Sequence, residues 1–267
     1  MSDHAVLLDV DDEVATITLN RPGMRNALTL DVAEGLVHAL DELEGRDDSG
    51  ARTVVIEGAE GSFCAGGDVN AMMELQSGSA TLAEAVRVVR EETGRTIQRV
   101  ANFHLPTIAK IEGAAFGAGG VLALACDLQV MHADADISFG FRNVGLAVDS
   151  GASYLLPRVV GTNLAKELVF TGERVGAERA HELGLVNRVY PDGEFESEFQ
   201  EFVERISSGP TVALRESKQL LNQGLESSLE QAVRNEAAAQ AAVFETDDHA
   251  EGVQAFMEGR WAEFDGR

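Results

Sequence analysis

Two glycine-rich turns and one acid are the residues of this sequence best suited to chemistry: Phe63-Cys64-Ala65-Gly66-Gly67-Asp68, Gly113-Ala114-Ala115-Phe116-Gly117-Ala118-Gly119-Gly120, and Asp149. Glycine lets the main chain turn tightly and approach a ligand with its N–H groups exposed. Two such turns in one domain can aim two amides at one oxygen, which is how an oxyanion is held. A tight strand-to-helix junction with no ligand accounts equally well for either turn taken alone. Asp149 lies in Gly145-Leu146-Ala147-Val148-Asp149-Ser150-Gly151. A carboxylate in such apolar surroundings is desolvated, and its proton affinity rises toward the range useful for proton transfer. Position alone serves as well for an N-cap of a helix beginning near Gly151 or Ala152.

Other chemistries find less support. The six histidines are scattered, with no pair at helical ligand spacing, and His132-Ala133-Asp134-Ala135-Asp136 reads as a solvated turn between strands rather than a metal loop. Cys64 has no histidine near it in sequence and reads as a small packed residue. The G-x-G-x-x-G spacing is not met, so Asp136 as a ribose partner would be accidental; a Walker lysine and a G-x-S-x-G elbow are both missing.

The elements that must position these residues can be read from periodicity. Val6 to Val10 and Val14 to Leu19 predict a hairpin about Asp11-Asp12-Glu13. Thr29 is placed to cap a helix whose stripe runs Leu30, Ala33, Leu36, Val37, Leu40 and Leu43. Strands at Thr53 to Ile56 and Thr107 to Ile111 lead into the two turns, and between them Leu82, Val86, Val89, Ile97 and Val100 form a longer helical stripe. Strand, glycine turn and helix recur, the signature of a repeating β/α architecture. Short strands follow at Leu128 to Met131 and Ile137 to Phe139, helices at Leu164 to Phe170 and Ala177 to Leu183, and an extended stretch at Leu185 to Tyr190. From about Glu194 to Arg260 the pattern is helical almost throughout. This predicts a core over residues 1–193 and an appended helical region over residues 194–267.

Charge is the outlier. Asp and Glu total 45 against 21 Lys and Arg, a net charge of −24, and only Lys110, Lys166 and Lys218 are lysines. Such a field repels nucleic acid and anionic membranes, so neither is an expected partner. The acids are dispersed, among them Asp9, Asp11, Asp12, Asp47, Asp48, Glu91, Glu92, Asp247 and Asp248, which points to a halophilic source in which salt screens the self-repulsion. No apolar run approaches a membrane span, and Met1-Ser2-Asp3-His4 lacks the basic start of a signal peptide. With two cysteines in different elements, a reducing cytoplasm is the expected compartment.

Taken together, these segments resemble the enoyl-CoA hydratase/isomerase (crotonase) superfamily. The matching pieces are Ile17-Thr18-Leu19-Asn20-Arg21-Pro22 with Arg25-Asn26-Ala27-Leu28, the two glycine turns, Leu122-Ala123-Leu124-Ala125-Cys126-Asp127, Leu156-Pro157-Arg158-Val159-Val160-Gly161 and Glu251-Gly252-Val253-Gln254-Ala255-Phe256. The resemblance implies an α/β fold, a crotonase-like ββα spiral core with a C-terminal α-helical region, assembled as a homotrimer or a hexamer. It implies a coenzyme A thioester as substrate, with no other cofactor and no metal. Its carbonyl would be held by the main-chain amides of Gly67 and Ala118; alanine keeps the N–H where many members have glycine. Arg21 or Arg25 would stand near the CoA phosphates, and Ala65, Asp68, Val69, Phe116, Gly117, Val121 and Phe141 would line the substrate. A lysine that some members carry near the C-terminus is Gly259 here, leaving Arg260 as a substitute.

Departures from the pattern bear on the reaction. Hydratases of the superfamily add water with two glutamates, whose positions align with Val121 and Phe141; neither can exchange a proton, and Glu112 comes too early to substitute. Asp149 stands where isomerases carry a catalytic aspartate, and its surroundings look most like ring-epoxide isomerases of phenylacetyl-CoA catabolism and Δ3,Δ2-enoyl isomerases. The expected activity is therefore double-bond or ring-epoxide isomerisation. An enoyl-CoA hydratase and a non-catalytic acyl-CoA binding protein are the alternatives.

Overall fold

The alternating Val14 to Leu19 segment forms a strand because one side of it is buried: Ala15, Ile17 and Leu19 are inaccessible while their neighbours stay partly exposed. It is strand β2 (Val14–Leu19), antiparallel to β1 (Val6–Asp11), with Val6 opposite Leu19 and Asp11 opposite Val14. The computed structural model describes residues 4–45 and 50–267; the opening Met1-Ser2-Asp3 and the acids Asp47 and Asp48 lie outside the described residues. The later strands are β3 (Thr53–Gly58), β4 (Thr107–Ile111), β5 (Ala114–Phe116), β6 (Leu128–His132), β7 (Asp136–Ser138), β8 (Val175–Gly176) and β9 (Arg188–Tyr190). The extended stretch expected from Leu185 is strand only from Arg188, because Leu185 and Val186 close the preceding helix onto the core.

Two sheets result. One runs β1-β2-β3-β4-β6-β9, parallel from β2 onward, and the other β5-β7-β8. Alternate residues of β3 and β4 point to opposite faces. Val54, Ile56, Ala109 and Ile111 enter the main core, while Val55 and Ile108 meet Phe195, Phe199 and Val203 on the other side. Burial on both faces is why these strands read as unbroken apolar runs.

The helices are α1 (Leu30–Gly45), α2 (Val69–Ser77), α3 (Leu82–Arg87), α4 (Gly94–Ala101), α5 (Ala118–Ala125), α6 (Ala152–Val160), α7 (Thr162–Thr171), α8 (Ala177–Glu182), α9 (Phe195–Ser207), α10 (Thr211–Gly224), α11 (Leu229–Val243) and α12 (Asp247–Glu258). A π-helical turn, Val88–Thr93, joins α3 to α4. Thr29 precedes α1 as expected, but its hydroxyl donates to the Asp31 carboxylate, which in turn accepts the Val32 N–H at 3.0 Å. The long stripe divides. Ile97 and Val100 are buried, whereas Leu82, Val86 and Val89 lie on a face of α3 and the π turn that stays exposed.

α9 covers the second face of the sheet, and the chain end is tied to its base by Arg52. This guanidinium is buried; it reaches Glu13 at 2.5 Å, the Thr211 hydroxyl at 2.7 Å and the Phe264 carbonyl at 3.0 Å, and also donates to the Gly209 carbonyl. No helix of the described residues is long and apolar enough to cross a membrane.

Candidate functional site

The first glycine turn is stitched into the molecule by its main chain. Phe63 N–H donates to Glu112, Cys64 N–H to Ala114, and Ala65 N–H to Arg25, at 2.8, 2.9 and 3.0 Å. Leu28 N–H donates to the Gly66 carbonyl at 2.7 Å. Gly66 has φ +112°, and a Cβ there would stand 3.0 Å from the Phe116 carbonyl oxygen. Asp68 then caps α2, accepting the Asn70 N–H at 2.8 Å. Asn26 supports this turn from beneath, a role its sequence position did not announce. It is buried at φ +54°, accepts the Arg21 N–H at 2.9 Å, and donates to the Ala59 and Ser62 carbonyls at 2.8 and 2.6 Å. An asparagine tolerates the left-handed conformation and carries both donors and an acceptor, which is the signal that could have found it.

The second turn lies against the first. Phe116 N–H donates to the Cys64 carbonyl at 2.9 Å, and Gly117 N–H to Ser138 at 2.8 Å. Gly119, the second residue of α5, sits so close to Cys64 that a Cβ would come 2.0 Å from its carbonyl oxygen. α5 is buried throughout and opens at Ala118. Neither the Gly67 nor the Ala118 N–H meets an acceptor among the described residues. Gly67 precedes the α2 cap, and Ala118 is the first residue of α5, where the helix leaves donors unsatisfied. Two unengaged amides on adjoining turns suit an oxygen bearing negative charge.

Asp149 is not the N-cap of α6. Gly151 holds that position, and Asp149 contributes its carbonyl, which accepts the Ala152 N–H at 2.8 Å. Its carboxylate Oδ1 accepts the Ser150 hydroxyl at 2.8 Å, and no cation pairs with it among the described residues. Burial pushes its pKa above the ordinary carboxylate value, and the Ser150 hydrogen bond opposes part of that rise. Val121 and Phe141 are buried in the core that also packs Ala118, Ala152 and the side chain of Val148.

The remaining expected site residues divide by exposure. Ala65, Phe116 and Gly117 are half-buried, and Arg174 stacks over the Phe116 ring at 4.9 Å. Val69 is exposed on the first turn of α2. Arg21 is held by Asp31 at 2.7 Å. Arg25 is exposed at φ +50° with no ion pair among the described residues. Arg260 is already neutralised, forked onto Glu251 at 2.6 and 2.9 Å and bonded to Glu258 at 2.7 Å, so it is ill placed to serve a phosphate. A groove of about 1810 Å³ runs along the opposite, α9-covered face of the sheet past Asp9, Asp11, Glu57, Lys110 and Glu196. None of the expected site residues lines it, and its carboxylates outnumber its cations, which disfavours an anionic ligand.

Comparison with known proteins agrees with this architecture. The sequence profile described as enoyl-CoA hydratase/isomerase matches residues 9–267. A crotonyl-CoA hydratase of Syntrophomonas wolfei is 33% identical over 267 residues, covering 99% of each chain. A 1,2-epoxyphenylacetyl-CoA isomerase of Escherichia coli is 32% identical over 262 residues, covering 98% of each. The crystal structure of an enoyl-CoA hydratase/isomerase from Cupriavidus metallidurans superposes with a TM-score of 0.89 at 32% identity, covering 100% of this chain and 98% of that one. With a profile match across nearly its whole length and relatives above 30% identity end to end, the chain belongs to the enoyl-CoA hydratase/isomerase family.

Proposed function

We propose that the protein is an acyl-CoA isomerase in which Gly67 and Ala118 form the oxyanion hole and Asp149 moves the proton. The observation that carries this reading is the chemistry of the side chains. Asp149 is a partly buried carboxylate without a cationic partner, while Val121 and Phe141, at the positions aligned with the hydratase glutamates, are buried apolar groups. The two amides polarise the thioester carbonyl and stabilise the enolate oxygen, and each such donor is worth about 10²–10³ in kcat. In a 3-enoyl-CoA, Asp149 takes a proton from Cα; the electron pair enters the conjugated dienolate. The same carboxyl returns the proton at the γ carbon, leaving the double bond between Cα and Cβ. Opening of a ring epoxide on the same thioester scaffold is the companion isomerase reaction.

Arg25 and Arg21 flank the first turn and are the proposed contacts for CoA phosphates, with Ala65, Asp68, Val69, Phe116 and Gly117 along the thioester. Self-association as a homotrimer or hexamer through residues 194–267 is supported by Leu221, Leu225, Leu229, Phe244, Phe256 and Trp261, all large, apolar and exposed. The cytoplasm as compartment and a high-salt source rest on sequence composition alone.

Hydration is the second reading, because hydratase names predominate among the relatives. Double-bond migration in a 3-enoyl-CoA, measured beside water addition to crotonyl-CoA, separates the two. Migration faster than hydration, and abolished in Asp149→Asn with acyl-CoA binding retained, is the expected result. Faster hydration, or near-normal turnover by Asp149→Asn, overturns it, and binding without turnover of any ester identifies a binding protein instead.

A further inference from the structure

Ser150 is held in a conformation its side chain disfavours. Its φ of 53° lies in the left-handed region, where a Cβ crowds the backbone, yet the residue is only 4% exposed and its hydroxyl is satisfied by a single acceptor, Asp149 Oδ1, at 2.8 Å. The main chain on either side is pinned. Gly151 follows at φ 85° as the α6 N-cap, and the Ala152 N–H holds the Asp149 carbonyl. Asp149 Oδ2 has no partner among the described residues. Strain retained next to an ionisable side chain calls for a compensating interaction, and the Ser150–Asp149 hydrogen bond is the one present.

We propose that Ser150 is a positioning residue for Asp149: its hydroxyl fixes Oδ1 and leaves Oδ2 as the oxygen that exchanges the substrate proton. This rests on the catalytic role proposed for Asp149. The neighbouring charges do not compete for the carboxylate. α5 carries no ionisable side chain. Arg142, in the same loop, donates to the Phe170 carbonyl, and Tyr154 and Arg158 of α6 both reach Glu226. On α4, Arg99 pairs with Asp41 and Glu44, and Arg95 is the other cation. The hydroxyl is thus the polar group that favours the ionised form, acting against burial.

Two variants separate the hydroxyl from the backbone. Ser150→Ala removes the donor and keeps the strain; Ser150→Gly removes both and favours folding at this φ. The Asp149 carboxyl is titrated in the ligand-free protein by carbon-13 NMR of labelled aspartate, with Asp149→Asn assigning the resonance. Both variants are expected to move its midpoint to higher pH. The acid limb of kcat moves with it, and kcat on a 3-enoyl-CoA falls about tenfold with KM within about twofold. A Ser150→Gly protein with an unmoved midpoint, or with wild-type kcat and acid limb, overturns the role of Ser150. Near-normal turnover by Asp149→Asn overturns instead the reading beneath it.

Discussion

Gly119→Ala tests whether the register of the two glycine turns sets the reaction. The added Cβ would lie 2.0 Å from the Cys64 carbonyl oxygen and 2.8 Å from both the carbonyl carbon and Cβ of the same residue. A carbon and a carbonyl oxygen pack no closer than about 3.2 Å, so the turns must part by roughly 1 Å. Backbone is the obstacle, so no side-chain rotation relieves it. The same Cys64 carbonyl accepts the Phe116 N–H, two residues before Ala118, so any parting moves one amide of the pair relative to the other. Overpacking of this kind costs about 1–3 kcal/mol, a fall in melting temperature of roughly 5 °C for a chain of this size. A misplacement near 1 Å costs about 10²-fold in rate. Gly224→Ala is the control: it is the last residue of α10, far in sequence from both turns, and its Cβ meets nothing within 4 Å. Thermal melts and steady-state kinetics on a 3-enoyl-CoA are expected to show a large loss of kcat for Gly119→Ala and little change for Gly224→Ala. If Gly119→Ala keeps wild-type melting temperature and kcat, contact between the turns does not govern the site.

Three further predictions concern stability. Because burial raises the folded-state pKa of Asp149 above its unfolded value, its ionisation opposes folding: stability is fully present below the unfolded pKa and is lost as pH rises through the folded one. Asp149→Asn should therefore melt higher than wild type near pH 7, the gap closing in acid; an equal or lower melting temperature at pH 7 contradicts the burial argument. Arg52→Ala leaves Glu13, Thr211 and the Gly209 and Phe264 carbonyls without their shared donor. A loss of about 3–5 kcal/mol is expected in denaturant unfolding, and under 1 kcal/mol would show that the chain end is held by other contacts. At a net charge of −24, far-UV circular dichroism and activity should both decline on dialysis from ~1 M salt into dilute buffer; full activity there rules out a salt-adapted protein.

Much of the fold was legible because its signals are local. The period-2 run of β2, the apolar runs of β3 and β4, and the stripe of α1 each reflect a face buried by neighbours that the periodicity alone implies. The stripe over Leu82, Val86 and Val89 misled because periodicity shows an apolar face but not what covers it. Likewise Asp149 in isolation could cap a helix or carry a proton, and only the placement of Gly151 at the α6 cap decided against capping. The two glycine turns were visible as residues, with their tight geometry implied by composition. That they touch, through Cys64 and Gly119, is a contact across more than fifty residues of chain, which no local pattern encodes. The sequence by itself determined the family, the glycine turns and the acid. Tertiary structure decided that the turns adjoin with two amides unengaged and that Ser150, strained and buried, holds that acid, since burial and close approach are properties of packing rather than of residue order.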